Sequence, residues 1–185
     1  MPCAIKKEEK GNMNLFKDIN FKNPKTICAL ACIAFMLLIV LMQFWPGVWG
    51  FSQMDQISEQ QTNETASIME LVWFPKSNNG AYATFFDGTT VGLLNTPVTR
   101  NQVAIMPAGQ LLMAAFGIVL IIKYPRATIA GLFPIVCGIL GFYGYFLIEG
   151  FRVHFTWYIN VALAALSLLS GLVYMLSGTI FKNAD

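Results

Sequence analysis

Cys28 and Cys32 stand one helical turn apart, the spacing at which two thiols on one helix face begin a metal site. A structural zinc wants four ligands, and neither a histidine nor a further cysteine lies nearby in sequence. The pair therefore reads as small packing residues. His154 has Glu149 and Arg152 beside it. A histidine with a carboxylate neighbour can sense pH or help hold a cation, but one His and one Glu do not complete a metal site. The plain reading is an interfacial histidine. Gln43, Gln110 and Asn160 are amides inside otherwise apolar stretches. Amides in lipid hydrogen-bond across helices, so the three are expected to form one polar cluster. It would be interhelical glue or the wall of a vestibule for a polar ligand. Asn63-Glu64-Thr65 fits the N-glycosylation acceptor pattern, common by chance. No P-loop, GxGxxG, GxSxG or HExxH is present. The expectation is a non-enzyme, with no catalytic residue, cofactor or metal.

The elements that must hold these groups follow from composition. Hydrophobic residues make up 56% of the 185 and charged residues 12%, where a soluble domain carries about 25% charged. A net charge of +2 is too small to suggest nucleic acid as a partner. Four stretches free of Asp, Glu, Lys and Arg are long enough to cross a hydrocarbon core, which takes roughly 20 residues of helix. The predicted organisation is a tail over 1–25, a first span over 26–48 and a loop subdomain over 49–103. A second span follows over 104–122, a link over 123–126 and a third span over 127–148. A short loop over 149–154, a fourth span over 155–178 and a tail over 179–185 complete it. Pro107 is placed near the start of the second span, where its missing N–H matters little.

Orientation follows from cation placement. Lys6, Lys7, Lys10, Lys17, Lys22, Lys25, Lys123, Arg126 and Lys182 fall on one side. Only Lys76, Arg100 and Arg152 fall on the other, among Asp55, Glu59, Glu64, Glu70, Asp87 and Glu149. Trp45, Trp49, Trp73 and Trp157 gather on that second side, as an aromatic belt would. The expectation is a cell-membrane protein with both termini cytoplasmic and the 49–103 loop outside.

The fold class expected is an all-α membrane protein, a four-helix transmembrane bundle with a small extracellular α/β loop subdomain. Helices in lipid gain no hydrophobic advantage from touching, so small residues must let their backbones approach. In the third span Gly131, Pro134, Gly138 and Gly141 recur at spacings of three or four, and Ala164, Ser167 and Gly171 do so in the fourth. These stripes should face each other or the first span. Pro134 should kink its helix or loosen it one turn earlier. In the loop, residues 55–73 read as a helix with Ile57, Ile68, Met69 and Val72 on its less polar side, stopped by Pro75. Asp87-Gly88 between two β-prone runs reads as a hairpin turn. It would place Tyr82, Thr84, Phe86, Val91 and Leu93 on one apolar face that needs cover.

Four spans, inner termini and a long first outer loop with strand character resemble the claudin-type tetraspan layout. The resemblance is one of topology: Trp49-Gly50 opens the loop, but the paired cysteines of that family's signature are absent from it. The functional expectation is an accessory or interaction subunit. Its outer loop, through Tyr82, Thr84, Phe86, Val91, Leu93 and Trp73, would bind a protein partner or a second copy, with membrane lipids around the bundle. The rival is a small transporter or channel for an uncharged or hydrophobic solute, using Gln43, Gln110 and Asn160.

Overall fold

The computed structural model describes residues 23–45, 49–54, 61–73, 99–125, 127–147 and 155–180. Helix α1 runs Pro24–Met42, opened by Asn23, whose Oδ1 accepts from the Lys25 N–H at 2.9 Å. Proline at the first helical position loses a donor that has no helical partner there in any case. Strands β1 (Trp49–Met54) and β2 (Gln61–Ala66) pair antiparallel, Trp49 opposite Ala66. A five-residue helix α2 (Ile68–Val72) follows, then α3 (Arg100–Lys123). A 3-10 turn (Thr128–Gly131) leads into α4 (Leu132–Leu147), and α5 (Phe155–Ile180) closes the described chain.

Four of these helices are long and apolar enough to cross a membrane. Each packs against its neighbour in sequence, and α1 also packs against α5, closing the ring. The end where α1 runs out toward β1 is called here the loop end; the Lys123–Ala127 link lies at the link end.

The bundle is sorted by polarity in the sense opposite to a soluble protein, although Met36, Met106, Ile121 and Tyr174 are buried as well. Gln43, Gln110, Thr156, Asn160, Ser167 and Ser177 are buried, with Ala29, Ala114, Ala130, Cys32 and Cys137. Leu41, Leu112, Phe116, Ile139, Leu169 and Leu176 point outward, each about half exposed. In water such an apolar coat would be an aggregation surface; in lipid it is the required solvent-facing layer. The chain is a multi-pass helical membrane protein.

Glycines close the α4–α5 seam. A Cβ added at Gly138 would lie 2.5 Å from Ala164 O and 2.8 Å from Leu168 Cβ. One added at Gly171 would lie 2.6 Å from Gly131 O, and one at Gly131 would lie 2.8 Å from Gly171 O. The two small-residue stripes therefore face each other, backbone against backbone. Ser167 Oγ donates to Pro134 O at 2.8 Å across the same seam.

Several boundaries differ from the sequence expectation. Of the helix expected over 55–73, the described residues 61–73 form helix only at Ile68–Val72, where Ser67 and Glu70 form a capping box that starts it. The residues before it, Gln61–Ala66, are extended. The hairpin face of Tyr82, Thr84, Phe86, Val91 and Leu93 lies outside the described residues, so the expected hairpin has no support in the described structure; the strand pair described in this loop is β1 with β2. Helix α3 begins four residues earlier than expected, since Gln102 Oε1 reaches back to the Thr99 N–H at 2.8 Å and caps it. That early start puts Pro107 inside the helix and not at its opening. At Pro134 the irregularity is the 3-10 turn Thr128–Gly131, the turn its ring would otherwise crowd.

Candidate functional site

From the loop end of α1 an amide relay runs inward to the middle of α3 and into α4. Gln43 follows the last residue of α1 and is 1% exposed; Gln110 lies in α3 and is equally buried. Gln43 Nε2 donates to Gln110 Oε1 at 3.1 Å and to Pro107 O at 3.3 Å. Gln110 Nε2 in turn donates to Cys137 O on α4 at 3.3 Å, and the Cys137 thiol donates back to Gln110 O at 3.6 Å. Gly141 makes room for this. A Cβ there would sit 3.2 Å from Gln110 Nε2 and 2.8 Å from Ala164 Cβ.

Asn160 does not join the relay. It is buried on α5, but its Nδ2 donates to Thr156 O one turn back in its own helix at 2.9 Å. The three amides expected to form one cluster are thus a bonded pair and a third held to its own backbone. Cys28, Cys32 and Cys137 are free thiols. Cys32 sits in the apolar core with Met36 and Tyr174. Tyr174 Oη donates to Pro125 O at 2.7 Å, tying α5 to the link between α3 and α4.

Helix α2 sits on the loop end of the bundle. The Met69 N–H donates to the backbone carbonyl of Gln43 at 3.1 Å, and Ile68 and Val72 are buried. Arg100 then clamps its far end. Nε and Nη2 of Arg100 donate to Val72 O at 2.9 and 2.6 Å. A cation at the start of α3 opposes that helix's own dipole, but here it serves the carbonyl end of α2, where a positive charge is favourable. The consequence is topological. The stretch 73–99 leaves and returns at two points held together by one guanidinium.

Sequence reasoning found Gln43 and Gln110 but missed Cys137 O, Arg100 and the α2 anchor. The Ser67-x-x-Glu70 and Thr99-x-x-Gln102 spacings were a readable signal for where α2 and α3 start. No local signal announces the clamp. Arg100→Gln is expected to raise chymotryptic cleavage within 73–99 roughly two- to fivefold in detergent micelles, the modest loss appropriate to an exposed charged hydrogen bond. Unchanged cleavage would mean that the clamp does not hold the ends of that stretch.

At the same end, Trp157 Nε1 donates to Tyr145 O at 3.1 Å, and its ring stands edge-on to Phe146 and Tyr158 at 5.3 and 5.2 Å. Trp45 and Trp73 are both exposed. Among the described residues no three His, Cys, Asp or Glu side chains lie together as metal ligands would. No family model, curated protein or solved structure matches this chain.

Proposed function

We propose that this chain is a non-enzymatic membrane protein that works as an accessory or interaction subunit, presenting its long loop to a protein partner or a second copy. In this reading both termini are cytoplasmic and the loop end faces outward at the cell membrane. The observation that carries it is the Arg100 clamp on Val72 O, with α2 docked on Gln43. A loop whose two ends are pinned to a rigid bundle loses less freedom on binding than a loose one, and affinity rises accordingly. Tyr82, Phe86, Val91, Leu93 and Trp73 supply aromatic and apolar side chains of the kind found in interface cores, with the Thr84 methyl beside them.

The bundle interior also favours this reading over the solute-carrier rival. A transporter interior needs room for its solute near mid-membrane, and the α4–α5 seam is closed by glycine-to-backbone contact. The test is affinity purification of the full chain in mild detergent, beside a Tyr82→Ser, Phe86→Ser, Leu93→Ser triple variant. A stoichiometric co-purifying protein or a defined homo-oligomer, lost in the triple variant at equal expression, is the expected result. A chain that runs as a monomer in both forms contradicts the reading. Accessibility tagging that puts residues 55–100 on the same side as the N-terminus does so too.

A further inference from the structure

Gln43 carries the single buried side-chain nitrogen or oxygen without a hydrogen-bond partner among the described residues, its Oε1. The orientation of this amide is forced. Pro107 O and Cys137 O can only accept, so Gln43 must turn its nitrogen toward Pro107 and Gln110 its nitrogen toward Cys137. Flipping either amide would set oxygen against oxygen. The unpaired oxygen is thus a consequence of the relay itself.

An amide oxygen buried without a donor loses its hydration with nothing in return. Methionine would fill similar space with no such cost. Depth tells what could supply the donor. Helix α1 has 19 residues and rises about 28 Å at 1.5 Å each, close to the roughly 30 Å hydrocarbon thickness. With α1 read as a span that starts at the opposite face, Gln43, the next residue, stands near the hydrocarbon edge, where lipid hydroxyls and the first waters are found. Helix α2 covers the site from the loop end through Ile68 and the Met69 bond. On its flanks Leu41, Phe44 and Ile105 are exposed on the bilayer side. The polar partners in the relay are amides, carbonyls and one thiol, none of them charged.

We propose that Gln43 Oε1 is the acceptor of a binding site for an uncharged hydroxyl donor, a single water or the free hydroxyl of a membrane lipid, at the loop end of the α1–α3 seam. The site borders helix α2 of the loop but does not rest on the loop having a partner.

The test uses full-length chain with ¹³C-labelled glutamine amides in three vesicles: phosphatidylcholine alone, with dioleoylglycerol, and with the same glyceride acetylated at its free hydroxyl. The Gln43 side-chain carbonyl band is the wild type minus Gln43→Met infrared difference after removal of the Gln110 carbonyl, assigned with Gln110→Met, because Gln110 Oε1 loses its donor in Gln43→Met. A hydrogen-bonded carbonyl absorbs at lower wavenumber than a free one. A bonded band in all three vesicles, with magnetisation transfer from water to the Gln43 amide, identifies water. A bonded band with dioleoylglycerol alone identifies a lipid hydroxyl. A free band in all three overturns the proposal, and so does one that becomes bonded only when a co-purified protein is added. Should Gln43→Met not fold, wild-type melting replaces the difference spectrum, read together with the water transfer. A higher midpoint with dioleoylglycerol than with its acetylated form, or transfer from water to the amide, supports the site. Equal midpoints with no transfer overturn it.

Discussion

Replacing Gly138 by valine should weaken the bundle by about 3 kcal/mol or more, at the upper end of what overpacking a close seam costs. Even the first added carbon meets Ala164 O at 2.5 Å and the Leu168 backbone N at 3.0 Å. Those atoms belong to the α5 backbone, which cannot rotate aside as a side chain would. Helices α4 and α5 must then separate by about 1 Å, and dispersion contacts weaken steeply over such a gap. In lipid nothing compensates, since close packing supplies much of what holds the helices together. Gly144 is the instructive contrast. An added Cβ there meets only side-chain atoms of Met106, an unbranched chain that can change rotamer where a backbone cannot. The measurement is reversible unfolding in mixed micelles, with Ile139→Ala as the control. Ile139 is 53% exposed to the outside, so its truncation should stay within about 0.5 kcal/mol. If both variants unfold alike, the seam is not as close as described.

Gln110→Met is the second large effect. The substitution removes the donor to Cys137 O and the acceptor for Gln43 Nε2 together. Single hydrogen bonds in membrane bundles average near 0.6 kcal/mol and reach about 1.7. Loss of the central member of the relay, with a polar group left behind at Gln43, should cost about 1–2 kcal/mol. The double variant Gln43→Met, Gln110→Met should recover part of that, because no half-paired amide remains. The same micelle titration checks both. A double variant as damaged as the sum of the singles would mean that the two amides do not act on each other. A seam closed by backbone contact should be more sensitive than a polar relay, although the relay is the more conspicuous in sequence.

How far the sequence could be read depends on how local each cause is. Proline rules are local, yet Pro107 was misplaced because another local device, the Thr99–Gln102 cap, starts the helix earlier. Residues 61–66 show the reverse. Their surroundings suggested a longer helix, but Ser67 and Glu70 restrict it to one short turn after an extended run. Gln43 and Gln110 were recognisable as amides out of place in apolar sequence. That they bond to each other across 67 residues of chain was not. Nor was the separation of Asn160 from them, since Thr156 O, one turn away, offers it a nearer acceptor.

By itself the sequence determined the four apolar helices and the small-residue stripes along the third and fourth. Hydrocarbon thickness and helical periodicity act on each segment alone, so no knowledge of neighbours is needed. The tertiary structure decided which stripe meets which, how Gln43, Gln110 and Cys137 connect, and that Arg100 holds Val72. Each of these joins groups far apart in the chain. Their choice of partner depends on how helices lean together, and side-chain spacing along one helix carries no record of that.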